Sequence, residues 1–292
     1  MESVQFFLQL ISSTLVIFSA ILIAAAGGVI SERSGVINIA LEGLMIFGAM
    51  TAAVANLYFE SISGFSIVIS LIFAALAGGL FSLVHAFASV TLKADHTISG
   101  TGINLLSNGV TVFVCQVLFR MDRTPNYKTG MKNGLFGVYP AILAALIISM
   151  ALWFVLSKHQ RSLCAAGENT QSLESTGVKT AIKRYIAVLI SGLLAGLAGG
   201  FIVLTQNIPF SANAINGKGF IALAAVSFSR RLPLGIPGSV FIISFALSFA
   251  AQTVGLKSLL FPPPDFFNML PFLITLLTLA VFGRRNNNRK LK

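Results

Sequence analysis

The stretch GGVISERSGVINIALEGLMIFGA, residues 27–49, organises the chain, because a long apolar segment breaks there at a charged elbow and a second apolar segment begins with polar residues. The elbow is the pentapeptide Ser-Glu-Arg-Ser-Gly at residues 31–35. Behind it, Gly35, Asn38 and Glu42 recur at helical spacing, which predicts that they share one helix face. A carboxylate and a carboxamide within a membrane-length segment are costly unless they face protein or water. Asn38 and Glu42 are therefore predicted to line a pathway.

The composition indicates an integral membrane protein. The 292 residues are 55% hydrophobic and only 10% charged, against about 25% charged residues in an ordinary soluble domain. The mean hydropathy of +0.87 leaves no room for a sizeable soluble domain, so residues 1–292 are predicted to form a single transmembrane domain. The net charge of +11 lies in short loops between apolar runs. It indicates membrane topology and not nucleic-acid binding.

Apolar runs of about 20 residues, the length that crosses a bilayer, recur along the whole chain. They predict an all-α, polytopic bundle of about nine spans, with a range of eight to ten. The seventh run is short, and we expect it to be broken or re-entrant. The predicted spans are Phe6–Ile30, Ile37–Leu57, Phe65–Thr91, Thr97–Phe119, Val138–Leu156, Tyr185–Leu204, Gly217–Phe228, Gly235–Val254 and Phe266–Phe282.

The distribution of basic residues predicts the orientation. Nine spans place 14 of the 20 Lys and Arg residues on one side, and short cytoplasmic loops are the ones enriched in these residues. The N-terminus is therefore predicted outside, and the basic tail 284–292 inside. We expect a multi-pass membrane protein.

Two further features of the chain bear on its processing and redox chemistry. The first apolar run lacks the basic region that precedes a cleaved signal, so we expect it to remain as a span. Cys115 lies in an apolar segment and Cys164 in a basic loop. In the predicted topology these two thiols cannot meet, and no disulfide framework is expected.

The sixth span carries a ridge of small residues. Gly192, Gly196 and Gly200 repeat every four positions, which lets two helix backbones touch in a membrane. We predict that these glycines serve helix packing and form no site.

The fourth span carries a second polar stripe at helical spacing, made of Thr97, Thr101, Asn104, Asn108, Thr111 and Cys115. Such a stripe serves either hydrogen bonding between helices or the lining of a translocation route. A short echo between residues 37–43 and 103–109 favours the second interpretation. On it, Thr101, Asn104 and Asn108 line the pathway, and Asn104 and Asn108 meet Asn38 and Glu42 across a cavity near mid-membrane.

Sequence motifs of enzymes and of cofactor sites are missing. The chain contains no GxxxxGK[ST] phosphate loop, no HExxH and no GxSxG, and its three histidines are scattered. We therefore predict a protein that is not an enzyme and binds no metal or cofactor.

The longest loop on the predicted cytoplasmic side is 158–184, the best candidate for meeting a soluble partner. Asn169 is a good N-cap, residues 170–176 can form two helical turns, and Gly177 can end them in a left-handed conformation. Glu168 lies by the helix start, where an anion is favoured. Glu174 adds a second negative charge and Leu173 an apolar foothold. The long loop on the other side, 120–139, is either a docking surface or a simple connector.

These residues together resemble the permease subunits of bacterial ABC importers of the branched-chain amino acid, ribose and nucleoside class. The nearest branch is that of nucleoside permeases associated with basic-membrane-protein lipoproteins. The stretch 31–49 is the most specific match, and residues 167–169 with Gly177, 191–200 and 217–235 also resemble that branch. Two stretches depart from it: 96–108 is more polar, and 229–231 replaces a glycine-containing turn.

The resemblance implies a heteromeric importer in which this chain forms half of the pathway for nucleosides. Its partners would be a second, homologous permease, a cytoplasmic tandem ABC ATPase that uses ATP and Mg²⁺, an external substrate-binding lipoprotein and membrane lipid. Within the loop 158–184, the residues expected to couple to the ATPase are Gly167, Glu168, Asn169, Leu173, Glu174 and Gly177.

Two alternatives remain open from the sequence. One is a simple-sugar permease of the same ABC class, because the binding protein supplies much of the selectivity. The other is an ion-coupled secondary transporter, in which Glu42 and Asp95 would handle the ion. A secondary transporter has no need of a structured cytoplasmic coupling helix, so the loop 158–184 favours the ABC class.

Overall fold

Helices dominate the computed structural model, which describes residues 2–131, 163–168, 170–175, 177–206, 208–229 and 235–253. No strand occurs among these residues. The helices are α1 (Glu2–Arg33), α2 (Leu41–Phe59), α3 (Ser66–Ala86, continued by a π-helical turn Phe87–Thr91), α4 (His96–Phe119), α5 (163–168), α6 (Thr170–Glu174), α7 (Thr180–Gln206), α8 (Lys218–Phe228) and α9 (Ile236–Thr253).

Five of the described helices are long and apolar enough to cross a membrane, namely α1, α2, α3 with its π-helical turn, α4 and α7. Most of α9, Ile236–Gln252, is an apolar helix slightly shorter than these five. The predicted spans Val138–Leu156 and Phe266–Phe282 lie outside the described residues, as does the basic tail. The all-α class is therefore confirmed for the described part of the chain, while the count of nine spans and the orientation stay predictions.

Helix α7 is the central element, and it packs against α1, α2 and α3. Its glycine ridge lies at these contacts: a Cβ on Gly192 would meet Ser82 of α3, and one on Gly200 would lie 2.8 Å from the Ala74 Cβ of α3. Gly196 lies against the backbone of α3 at Gly78 and against Gly48 of α2. Lipid provides no hydrophobic drive between helices, so such close backbone approach supplies packing energy.

Helix α8 is only 11 residues long, which at 1.5 Å per residue is about 16 Å, or half of a bilayer core. It follows a largely non-helical segment, residues 208–217, that contains one short 3₁₀ turn, Ala212–Ala214. Phe210 and Ile215 in this segment are fully buried. Irregular backbone held by these two buried side chains therefore leads into a half-length helix. Such an arrangement is tolerated at membrane depth only inside protein or beside water, and it fits the expected broken or re-entrant segment.

The start of α8 lies near the middle of the bundle. It contacts Glu42 of α2. Two residues close to Glu42 in the sequence, Asn38 and Met45, contact Ser191 and Gly199 of α7. Glu42 is therefore level with about the midpoint of the 27-residue helix α7, roughly 20 Å from either end. We call the end of the bundle at Arg33 and Arg184 the elbow end, and the end at residues 120–131 the loop end.

Candidate functional site

The elbow ends α1 with a glycine-based C-cap. The Val36 amide donates to the Ser31 carbonyl at 3.2 Å and the Gly35 amide to the Glu32 carbonyl at 3.2 Å, the two hydrogen bonds of a Schellman motif. Gly35 has φ +90°, a conformation that strongly favours glycine. The expectation that Gly35, Asn38 and Glu42 share one helix face is wrong. The Schellman turn ends α1 at Arg33, α2 begins only at Leu41, and Asn38 lies in the connection between them.

Asn38 is buried at the elbow side of the bundle and faces α7. Its Nδ2 donates to the Ser191 hydroxyl oxygen at 2.9 Å. Its Oδ1 is buried and accepts no hydrogen bond from any described residue. An unfilled acceptor of this kind is costly unless a partner or a water satisfies it. Asn38 thus tethers the connection to α7 and offers one acceptor at the place where the pathway is predicted.

Asn104 of α4 caps the first turn of α2. Its Oδ1 accepts the Gly43 amide at 2.8 Å, and its Nδ2 donates to the Ile39 carbonyl at 3.0 Å. The N-cap residue Ala40 makes no side-chain capping hydrogen bond, although the first amides of a helix need an acceptor. Asn104 thus meets the backbone of Gly43 and Ile39, next to Glu42 and Asn38, and the expected cavity between the two polar stretches stays a prediction.

Glu42 caps the start of α8. Its Oε1 accepts the Gly217 amide at 2.8 Å and its Oε2 the Gly219 amide at 2.6 Å. The carboxylate is only 6% exposed, and Lys218 beside it donates to the Ile215 carbonyl at 2.9 Å. A negative charge at a helix N-terminus is favourable because free amides and the helix dipole both point at it. Glu42 thus faces protein, and its predicted contact with a transported solute stays a prediction.

Gly219 permits this close contact. A Cβ at Gly219 would lie 2.5 Å from both the backbone nitrogen and the Cα of Glu42. Gly217, the N-cap of α8, has φ +80° and no side-chain cap of its own. The sequence pattern does not connect these glycines to Glu42. The Gly-Lys-Gly sequence before an apolar run indicates a close backbone contact, but it does not indicate which residue is contacted.

The polar stripe of α4 divides between two surroundings. Asn104 is buried, whereas Thr101 and Asn108 are exposed. The Thr101 hydroxyl donates to the Thr97 carbonyl at 2.8 Å, and the Asn108 Nδ2 to the Asn104 carbonyl at 3.2 Å. The structure thus brings Asn38, Glu42 and Asn104 together around the start of α2, and places Thr101 and Asn108 on a different face of the described chain.

The echo between residues 37–43 and 103–109 has no structural counterpart. The first stretch is a non-helical connection followed by the start of α2, and the second lies wholly inside α4. The two helices do run parallel, since Gly100 approaches Ile39 near their starts and residues after α4 contact Asn56 near the end of α2. Asp95, the alternative ion-handling residue, is an exposed N-cap of α4 that accepts the Thr97 and Ile98 amides.

The loop 158–184 contains a shorter helix than predicted. Helix α6 spans Thr170–Glu174, and Gly177 ends this region with φ +80°. The Gly177 amide donates to the Glu174 carbonyl at 2.9 Å, and the Glu174 carboxylate accepts from the Thr180 hydroxyl at the start of α7. Asn169, the predicted N-cap, lies outside the described residues. Glu168 is exposed and Leu173 is half-buried.

Arg184 joins this loop to the elbow. Its Nε donates to the Ser34 carbonyl at 3.2 Å and its Nη2 to the Ala166 carbonyl at 2.9 Å. Gly35 and Gly167 touch at the same place, where a Cβ on Gly35 would lie 2.9 Å from the Gly167 Cα. From the sequence, Arg184 indicates only topology, because its two carbonyl partners carry no sequence signal.

Metal-binding geometry is not found within the described ranges, where no group of three or more His, Cys, Asp or Glu side chains could hold a metal ion. His85, buried in α3, pairs its Nδ1 with the Ser99 hydroxyl oxygen at 2.9 Å.

The chain is similar in sequence to known transport permeases along most of its length. A family profile described as branched-chain amino acid transport system / permease component matches residues 10–279. The guanosine ABC transporter permease protein NupQ of Bacillus subtilis is 36% identical, covering 97% of this chain and 94% of NupQ. The nucleoside ABC transporter permease protein NupC of Lactococcus lactis is 34% identical, covering 94% and 92%. The guanosine ABC transporter permease protein NupP of Bacillus subtilis is 23% identical, covering 70% and 63%.

Proposed function

The chain belongs to the branched-chain amino acid transport system / permease component family, and within it we propose that the protein forms half of the translocation pathway of an ATP-driven nucleoside importer. It is a multi-pass membrane transport subunit and not an enzyme. The proposed partners are a second homologous permease, a cytoplasmic tandem ABC ATPase and an external substrate-binding lipoprotein that delivers nucleoside. The proposed location is the bacterial cytoplasmic membrane.

The observation that carries this proposal is the similarity to NupQ along nearly the whole of both chains. A relative that covers only the apolar helices would support a membrane protein of any kind. Here the similarity includes the elbow, the loop 158–184 and residues 208–217 with α8. NupQ and NupP of Bacillus subtilis carry the same substrate in their names and both resemble this chain, which supports a pair of different permeases.

The geometry supports a route that passes the start of α8. Segment 208–217 runs as irregular backbone from the loop end toward mid-depth, and such backbone is tolerated where it lines a cavity or is buried. We propose that Thr101 and Asn108 line the route on the exposed face of α4, with the buried Asn38, Asn104 and Glu42 shaping it from behind. Nucleosides are uncharged and rich in hydroxyl and ring nitrogen groups, which carboxamides bind well.

The loop 158–184 is proposed to receive the ATPase. The α6 helix is far shorter than the roughly 12 residues that hold together alone in water, so its contacts with α7 are needed to order it. Through Arg184 a displacement of residues 163–168 would reach Ser34 directly. The same elbow continues into Asn38 and the capped start of α2, which gives the ATPase a short mechanical connection to the pathway.

Uptake in cells tests the substrate. A strain lacking the chain is compared with the complemented strain, using labelled guanosine and labelled ribose. We expect guanosine uptake to require the chain and cellular ATP, and ribose uptake to be unchanged. Ribose uptake that depends on the chain, with unchanged guanosine uptake, would instead establish the sugar permease.

Co-purification tests the ATPase contact. The double variant Leu173→Asp with Gly177→Val alters the apolar foothold and the left-handed turn of the loop. We expect it to lose the ATPase while the permease pair remains intact. The matched control is Ile62→Asp, which introduces the same charge at an exposed side chain (76% exposed) of the opposite end. Undiminished ATPase association in the double variant would remove this assignment.

A further inference from the structure

Lys218, the first residue of α8, is a basic side chain at membrane depth. Gly217 before it and Gly219 after it both contact Glu42, which lies level with about the midpoint of α7. Ionisable side chains at such depth are costly, and those that occur generally pair with one another or face a water-filled path through the protein. Lys218 therefore needs a partner for its charge and acceptors for its donors.

The chain itself meets only part of this need. The Lys218 ammonium donates to the Ile215 carbonyl at 2.9 Å, whereas a lysine ammonium carries three N–H donors. Within the described ranges, this is the one hydrogen bond that the ammonium makes. Lys218 is half-buried and so stays accessible from outside the chain. Its other N–H groups are therefore left for water or for a solute.

Glu42 compensates the charge of Lys218 without occupying these donors. The carboxylate and the ammonium interact electrostatically, yet the carboxylate oxygens accept the Gly217 and Gly219 amides. In the discontinuous helices of transporters, the free amides of a half-helix often bind an anionic group of the substrate. Here Glu42 already occupies those amides. The start of α8 thus disfavours an anionic solute and favours an uncharged one that carries acceptor atoms.

The backbone before α8 adds two carboxamides. Asn213 and Asn216 are exposed, whereas Phe210 and Ile215 of the same segment are buried. The segment 208–217 therefore buries its largest apolar side chains in the bundle and leaves its amide side chains accessible. A carboxamide both donates and accepts, as a ribose hydroxyl also does. The lysine ammonium only donates, so it matches a group made of acceptors alone.

Nucleosides differ in the groups that their bases present to such a cation. Guanine and other purines with a 6-oxo group place the acceptor O6 beside the acceptor N7, and lysine is a common partner of this pair. Adenine places an N6 amino group beside N7, which would turn a donor toward the ammonium. A carboxamide such as that of glutamine has the opposite preference, because it binds N6 and N7 of adenine together. A donor-only cation therefore discriminates between these two kinds of purine.

We propose that Lys218 is a specificity-determining residue, which donates to O6 and N7 of 6-oxopurine nucleosides as they pass the start of α8. This inference rests on the proposed importer function and adds to it a substrate class and the residue that selects it. Asn213 and Asn216, on the same segment, bind the ribose hydroxyls. Glu42 balances the charge of Lys218 from behind and holds the start of α8 in place.

Uptake of inosine and of adenosine tests the proposal, because these two nucleosides differ in the group at position 6 of the purine. The ratio of Vmax to KM is measured for each nucleoside in a strain without other nucleoside uptake. All partner subunits are left unchanged, so a shift in preference arises in this chain. We expect Lys218→Gln to lower the preference for inosine over adenosine at least about tenfold.

Two further variants serve as controls. Lys218→Arg keeps a cation with N–H donors that pair with O6 and N7, so the preference of the wild type should be retained. Lys128→Gln makes the same chemical change as Lys218→Gln at an exposed lysine of the loop end, and it should leave the preference unchanged. Uptake is normalised to the amount of assembled importer. If Lys218→Gln does not assemble, Lys218→Met takes its place, with the same loss of inosine preference expected.

Two results overturn the proposal. One is an unchanged ratio of inosine to adenosine uptake after the loss of the cation. The other is an equal loss of both uptakes per assembled importer, which would make Lys218 a structural residue. A wild-type importer that carries neither nucleoside would refute the nucleoside function itself. A wild type that carries nucleosides with a preference independent of Lys218 refutes only this assignment.

Discussion

Glu42, which lies at the start of α8, and Asn108, on the exposed face of α4, are both polar side chains in membrane-length helices. Their hydrogen-bonding groups are satisfied in opposite ways. At the start of α8, Glu42 is buried and both carboxylate oxygens accept backbone amides. On α4, Asn108 is exposed and returns one hydrogen bond to its own helix. The first arrangement is complete within the chain. The second leaves amide groups that require water, solute or another subunit.

This difference separates two meanings of a polar residue in a membrane helix. A buried cap such as Glu42 or Asn104 stabilises the fold, and its loss should be seen in unfolding. An exposed residue such as Thr101 or Asn108 contributes little to the fold of the chain, and its loss should be seen in transport. The following variants test that separation.

The largest effect is expected for Gly219→Ala. The new Cβ would lie 2.5 Å from the backbone of Glu42, which cannot move without displacing the start of α2, so we expect a loss of about 3 kcal/mol of stability. Thermal unfolding of the purified protein measures it. Gly109→Ala on α4 is the matched control, because nothing lies within 4 Å of its Cβ position. Equal melting temperatures for the two variants would contradict the close contact.

Glu42→Gln should have the next largest effect. The amide keeps one acceptor but turns an N–H toward a backbone N–H, so we expect a loss of about 1–3 kcal/mol and reduced uptake. Glu60→Gln is the control, since that carboxylate also accepts two backbone amides but lies at the loop end, where water can replace it. A Glu42→Gln protein that assembles, unfolds and transports like the wild type would remove both the capping and the pathway roles.

Asn104→Ala and Asn108→Ala form a matched pair one helical turn apart. Asn104→Ala removes the contacts to Gly43 and Ile39 and should cost about 1–2 kcal/mol. Asn108→Ala should change stability by less than about 0.5 kcal/mol while raising the KM of nucleoside uptake. Melting temperatures and uptake kinetics of both variants give the answer. If Asn108→Ala leaves the KM unchanged, the exposed face does not line the route.

The smallest effect is expected at Asp95, where α4 carries its own exposed cap. The Ile98 and Thr97 amides lower the pKa of Asp95 below its ordinary value of 3.8, so the stabilisation is present above that value and is lost as the pH falls through the lowered pKa. Asp95→Asn keeps the acceptor without the titration. We expect the melting temperatures of the two proteins to converge in acid and differ slightly at neutral pH. A difference that does not depend on pH would contradict the charged cap.

Several parts of the architecture could be predicted from local pattern. The runs of apolar residues predict helices because a bilayer allows few other structures, and the described helices agree with them closely. The glycine ridge of α7 was predictable because close backbone contact has a fixed four-residue spacing. The shortness of the seventh run indicated a broken or re-entrant segment; α8 is only 11 residues long, and the choice between these two stays a prediction.

The errors arose where two structural rules compete. Helical spacing placed Gly35, Asn38 and Glu42 on one face, but Gly35 is also a strong helix-ending residue, and the Schellman turn prevailed. The stripe of α4 was read as uniform because spacing alone carries no information about neighbours. Asn104, Thr111 and Cys115 are buried while Thr101 and Asn108 are exposed, so the stripe divides between buried and exposed positions.

The sequence by itself determined that the chain is helical, lies in a membrane, breaks at the charged elbow 31–35 and carries no enzyme motif, because each of these follows from local composition or spacing. Only the tertiary structure decided what the polar groups do. The Glu42 carboxylate meets the Gly217 amide 175 residues away along the chain, and Arg184 reaches Ser34 across 150 residues. Backbone amides and carbonyls are present at every residue except for the amide of proline, so a side chain that binds them leaves no mark on its partner's sequence.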